Sequence, residues 1–183
     1  MSRDKTASIW DNFKSDLQGM GLELRAITAE SEEDDYRLRY SNDYYYFRVE
    51  GHLPTPEECK KTRYMLPEDA DPRNQIYAGL YGEDGRCRAI VELLAGYPQE
   101  SELNLVWLML DKAFQGQGLG SRIMQAIFGA AEAAGFETIR LCCYDVNEIG
   151  KAFWKKQGFS CLKETVRETG AGNMRLLVLE KHL

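Results

Sequence analysis

The sequence predicts an α/β fold built on a mixed, mostly antiparallel sheet flanked by helices. Two observations carry this. Strand-like runs follow one another closely at 75–81, 86–94 and 102–110, and the turn Gly82-Glu83-Asp84-Gly85 holds the Asp-Gly pair of a hairpin. The third run then leads through three alternate glycines, Gly116, Gly118 and Gly120, into a helical pattern and on to another strand at 138–144. Such a strand–helix–strand unit makes a right-handed parallel crossover, so one parallel pair is expected inside the sheet.

The elements read as follows. A helix at 6–18 sets Ile9, Trp10, Phe13 and Leu17 on one face, and the first strand follows at 22–27. Residues 31–73 are irregular, with an acidic cluster around Glu32 to Asp35, the aromatic run Tyr44 to Phe47 and four prolines. One or two helices with long connections are expected there, and the tyrosines suit either core packing or a substrate wall. The helix at 118–134 repeats Leu119, Ile123, Ile127 and Ala131 every fourth residue, and Gly135 stops it. A second helix at 148–157 ends at Gly158, and two last strands, near 160–166 and 174–180, flank Gly170-Ala171-Gly172-Asn173.

The 183 residues suit a single domain, 1–183, with residues 1–20 as a helical extension and 31–73 on the acceptor side. A net charge of -6 argues against nucleic acid or an anionic membrane as partner and favours a cationic small molecule or peptide. Five cysteines without CxxC spacing and only two histidines, His52 and His182, argue against a disulfide framework or a metal site. The N-terminal residues lack a signal-peptide core and no apolar run reaches membrane-spanning length, so a cytoplasmic location is expected.

A strand aimed at a glycine-rich helix start is a device for holding phosphate. Glycines let the backbone approach an anion, and the first helical turn offers unpaired N–H groups. The spacing is neither G-x-G-x-x-G nor a P-loop followed by Lys-Ser or Lys-Thr. Gln115-Gly116-Gln117-Gly118-Leu119-Gly120 instead resembles the Q/R-x-x-G-x-G/A motif of the GNAT acetyltransferase superfamily. Leu108-Met109-Leu110 resembles that family's L-x-V strand end. Asn147 followed by Phe153-Trp154-Lys155-Lys156-Gln157-Gly158-Phe159 resembles its second block.

The resemblance implies acetyl-CoA as cofactor, no metal, and transfer of an acetyl group to a primary amine by direct attack. Pantetheine would lie in a splay between the two parallel strands, paired with backbone groups of Leu108, Met109 and Leu110. Gln115, Gly116, Gln117, Gly118, Leu119, Gly120 and Ser121 would cradle pyrophosphate, while Asn147, Phe153 and Lys156 complete the cofactor site. Many relatives carry Glu where Asn104 stands and a tyrosine acid where Trp154 stands. The catalytic candidates are therefore Asn104 as an orienting group, Glu102 or Glu92 as base, and Tyr144 as acid. Cys142 and Cys143 lack a sequence-adjacent histidine for a covalent route. An acyl-CoA-binding module with weak or no catalysis is the alternative, and related folds occur as monomers or homodimers.

Overall fold

The computed structural model describes residues 2–63 and 65–183, so Met1 and Tyr64 lie outside it. The chain forms α1 (Ser2–Gln18), β1 (Leu22–Ala26), α2 (Glu32–Tyr40), α3 (Asp43–Val49), α4 (Pro56–Arg63), β2 (Gln75–Gly82), β3 (Cys87–Ala95) and β4 (Glu102–Leu110). It continues with α5 (Leu119–Ala133), β5 (Thr138–Tyr144), α6 (Glu148–Lys156), β6 (Ser160–Thr169) and β7 (Gly172–His182). The expected irregular segment thus holds three short α-helices instead of one or two. Their brevity leaves too few turns for a clear helical period, which blurs them in the sequence. None of the helices is long and apolar enough to cross a membrane, among the described residues.

The strands form one sheet in the order β1-β2-β3-β4-β5-β7-β6. Only β4 and β5 run parallel, because α5 crosses between them. One face carries α1 and α5. Ile9, Phe13 and Leu17 at helical spacing meet Ile123, Met124 and Ile127 over Leu80, Leu93 and Leu103, all essentially inaccessible. The other face carries a smaller core in which Leu38 of α2 and Tyr46 of α3 cover Tyr77, Ile90 and Met109.

A bulge in β4 sets up everything that follows. Glu92 pairs with Trp107 and Leu93 with Leu105, which leaves Val106 as an extra residue. Leu103 and Leu105 point into the larger core, so simple alternation would send Trp107 and Met109 there too. The extra residue reverses the alternation. Leu108 and Leu110 pack against the larger core, and Trp107 and Met109 turn to the α2–α3 face. The parallel pairing also stops here. It runs from Glu102 with Thr138 to Leu105 with Leu141, although both strands continue to Leu110 and Tyr144. Beyond Val106 the two strands part.

Candidate active site

A cavity of about 830 Å³ occupies the gap between the separated strands and extends from the glycine turn to the α2–α4 face. Its glycine-turn half is lined by Leu108, Met109, Leu110, Gln115, Gly116, Gly118, Gly120, Ser121, Asn147, Phe153 and Lys156. Gly116 and Gly118 adopt φ of 73° and 81°, a left-handed conformation that side chains disfavour, and an added Cβ at either would meet nothing within 4 Å. The space above them is therefore open. Gly120 is needed for another reason, since a Cβ there would stand 3.2 Å from the Phe153 ring. None of the amides from Gly116 to Ser121 donates to another described residue, and those of the first turn of α5 have no intrahelical partner.

Side chains around this turn mainly hold the backbone in place. Gln115 Nε2 donates to Asn42 Oδ1 at 2.7 Å and to the Leu110 carbonyl at 3.0 Å. Asn42 Nδ2 donates to the same carbonyl at 2.9 Å, so the end of β4 is tied to the start of α3. Gln117 turns back to the Ala113 carbonyl, and Leu119 is buried in the larger core, so both can offer only their amides to the cavity. Ser121 Oγ accepts from Gln157 Nε2 at 2.9 Å. Asn147 caps α6 by accepting from the Gly150 amide at 3.0 Å, and a Cβ on Gly150 would run into it.

The acceptor half lies on the other side of the bulge. Glu92 is only 5% exposed yet lines the cavity, with Oε1 accepting from Gln75 Nε2 at 2.7 Å. Burial pushes its carboxyl up to about 7, against the lowering effect of that hydrogen bond and of Arg39. Arg39 in turn is buried against Asp35 at 2.7 Å, hydrogen-bonded to Tyr77 Oη, and stacked 4.9 Å from the Trp107 ring centre. A buried pair of this kind holds together only because each charge has several partners. Tyr45 meets Trp107 edge-on at 5.5 Å, and the Trp107 indole N–H is buried without a partner among the described residues. Leaving such a donor unpaired costs roughly 1–3 kcal/mol, which a ligand oxygen would recover.

The structure separates the sequence-predicted catalytic residues. Tyr144 lines the cavity, and burial raises its phenol despite the nearby Arg167. Glu102 and Asn104 share the acceptor face of β4 but lie below the bulge and do not line the cavity. Glu102 is instead paired with Arg140 at 2.9 Å, and Arg140 also approaches Glu180 at 3.6 Å, which pins β4, β5 and β7 at the closed end of the gap. Trp154 packs in the aromatic cluster of Phe153 and Phe159, with ring centres 4.8 Å and 5.6 Å away. Burial raises both adjacent thiols, Cys143 to about 11, and so keeps them protonated. Sequence reasoning misses the Asp35–Arg39–Tyr77 network and Trp107 as site residues. Only the i, i+4 spacing of Asp35 and Arg39 signals them in the sequence.

Solved structures share this architecture. An acetyltransferase from Thermus thermophilus superposes with a TM-score of 0.66 at 23% identity, over 88% of this chain and 97% of that one. An acetyl transferase from Salmonella typhimurium that modifies the N-terminal serine of ribosomal protein L7/L12 gives 0.69 at 16% identity, over 89% and 95%. The ribosomal-protein-S18-alanine N-acetyltransferase from Escherichia coli gives 0.61 at 16%, over 88% and 93%. No curated protein matches the chain in sequence. The model of the Acetyltransferase (GNAT) family matches residues 29–159, which span the glycine turn, the parted strands and α6. This chain belongs to the GNAT acetyltransferase family.

Proposed function

We propose that the protein transfers an acetyl group from acetyl-CoA to a primary amine of a small molecule or peptide, with Glu92 as general base. The observation that carries this reading is one continuous cavity joining open helix-start amides to a buried carboxylate that titrates near neutrality. The residues present fit coenzyme A. Glycines without Cβ face open space at the turn, Lys156 lies beside it, and β4 and β5 leave their facing edges unpaired beyond Leu105. Amides from Gly116 to Ser121 would hold the pyrophosphate, and Leu108 and Asn147 the pantetheine arm. When bound, acetyl-CoA supplies an acetyl thioester.

The remaining chemistry belongs to the chain. An amine with pKa near 10 is about a thousandth deprotonated at pH 7, which costs roughly 4 kcal/mol. Glu92 Oε2 would take that proton, aided by a pKa close to the working pH. Tyr144 Oη keeps its proton and would give it to the departing sulfur. The Trp107 indole N–H, buried without a partner among the described residues, would donate to a ligand oxygen that reached it. We assign Glu102 and Asn104 to holding the closed end of the gap. The five free thiols suit a reducing cytoplasm.

The second reading is an acyl-CoA-binding module without turnover. Two observations favour it: Asn104 cannot act as a base, and Trp154 offers only an indole donor. Free-thiol release from acetyl-CoA over a panel of amines separates the two. Turnover that Glu92→Gln abolishes, with acetyl-CoA binding kept, supports the transferase. Tight binding with no turnover on any amine supports the module.

A further inference from the structure

We propose that the acceptor carries a second positive charge besides the amine that reacts, as a slender linear diamine does. The inference rests on the transferase reading of the cavity and names its substrate class. Of the five carboxylates that line the cavity, Asp43 is held by Lys112, while Glu50, Glu58, Glu92 and Glu168 have no ion pair with a described lysine or arginine. They lie at two depths. Glu92 is buried, whereas Glu58 and Glu168 are exposed and Glu50 is half-buried. A monoamine would answer the deep carboxylate alone and leave those at the rim facing one another.

The cations nearby do not cancel this charge. Arg39 is held by Asp35 at 2.7 Å and Lys112 by Asp43 at 2.6 Å, and Lys156 lies at the glycine turn. His52 sits 3.7 Å from Glu58, and Arg167 is the remaining countercharge. Glu50 acts on the phenols of both Tyr45 and Tyr144, which puts its carboxylate beside the parted strands. The rings of Tyr44, Tyr45 and Trp107 also line the cavity, suited to a methylene stem or to a cation over an aromatic face.

The shape of the cavity is equally selective. The turn between β6 and β7 rests on the loop after α3, where Glu50 Oε2 accepts from the Gly170 amide at 3.0 Å. A Cβ on Gly170 would collide with the Glu50 carbonyl, so the glycine allows the close approach. Residues on both sides of this contact line the cavity, so the contact spans it. An unbranched acceptor threads such a passage more readily than a folded protein surface.

The test compares three four-carbon amines at saturating acetyl-CoA: 1,4-diaminobutane, n-butylamine and 4-aminobutanoate. We expect kcat/KM for the diamine to exceed that for butylamine by roughly tenfold after correction for its two amines, and aminobutanoate to be poorest. In Glu50→Gln/Glu58→Gln the ratio should shrink toward one, with KM for acetyl-CoA unchanged. Added salt should shrink it in the unaltered protein. Equal rates for diamine and butylamine would overturn the inference and leave the transferase reading intact. A preference for aminobutanoate would assign selectivity to Arg167 and overturn it as well. Calorimetric titration of the diamine into the protein with CoA reads the same site without turnover. Binding that weakens in the double variant, with no acetylation of any amine, would keep the dication-binding site but sink the transferase reading and, with it, the acceptor role. Absence of such binding would sink the inference.

Discussion

The two halves of the cavity offer polar groups to a ligand by different physical means. In the glycine-turn half the ligand-facing groups are mainly backbone amides from one continuous stretch, Gly116 to Ser121, and the neighbouring side chains are spent on holding that backbone. In the acceptor half the groups are side chains from α2, α3, α4, β3 and β4, brought together across the sheet. Backbone recognition tolerates sequence change as long as the conformation survives. Side-chain recognition depends on the identity of each residue. On the proposed reading, the contrast teaches where function would be robust and where it would be open to divergence: donor binding would be fixed by geometry, acceptor choice by a handful of carboxylates and rings.

Substitutions can break this comparison on either side. The largest expected effect is Glu92→Gln, which should lower kcat by about 10²–10⁴-fold at pH 7, in line with loss of a general base. Steady-state assays across pH give the check. The unaltered protein should gain rate as pH rises through about 7, where Glu92 ionises, and the variant should lack that limb. Acetyl-CoA affinity should stay the same. A variant that instead lost acetyl-CoA binding would show that the two halves are not separable.

Gly118→Val probes the other half. It forces a β-branched residue into φ of 81° and fills the space over the amides. The left-handed strain alone costs about 1–2 kcal/mol, and blocked amides add to it, so acetyl-CoA affinity should fall by roughly a hundredfold or more. Isothermal titration measures this directly. Affinity within a few-fold of the unaltered protein would remove the amide cradle from the account.

The pH dependence of stability sharpens the role of Glu92 independently of turnover. Its carboxyl titrates near 4.5 when solvated and at about 7 in the fold. Between those values the native state keeps a proton that the unfolded chain has released, so stability falls as pH rises through that window. The loss amounts to about 3 kcal/mol at most and is complete above the folded value. Glu92→Gln removes the slope and should be more stable than the unaltered protein at pH 8 by denaturant melts, with little difference at pH 4. The opposite order would mean that Glu92 is stabilised as a charge.

The smallest effect is expected from Tyr144→Phe. Coenzyme A thiolate leaves readily, so loss of the phenol should lower kcat by only about five- to tenfold, at the low end for acid–base groups. No change would leave solvent as the acid, and a loss comparable with Glu92→Gln would make Tyr144 an equal partner.

The legibility of these regions in the sequence follows the same division. The glycine turn, the apolar stripe of α5 and the parallel crossover are local patterns. Spacing of residues close in the chain fixes them, because helix starts and strand alternation have fixed periods. The irregular stretch from Ser31 to Arg73 is harder to read. Its three helices are short, and their place on the sheet is decided by contacts such as Asn42 with Leu110, 68 residues apart.

By itself, then, the amino-acid sequence determined the family, the order of the sheet's central elements and the glycine turn that the proposed reading gives to phosphate. The tertiary structure alone decided which of the two candidate strand carboxylates, Glu92 or Glu102, lines the cavity. Asn104 and Glu102 share a face with the site, as strand alternation requires, but one extra residue at Val106 parts β4 from β5 above them and leaves Glu102 to Arg140. The same bulge turns Trp107 toward Glu92. A bulge is a register difference between two strands, and register is a property of the pair, so neither strand's sequence announces it.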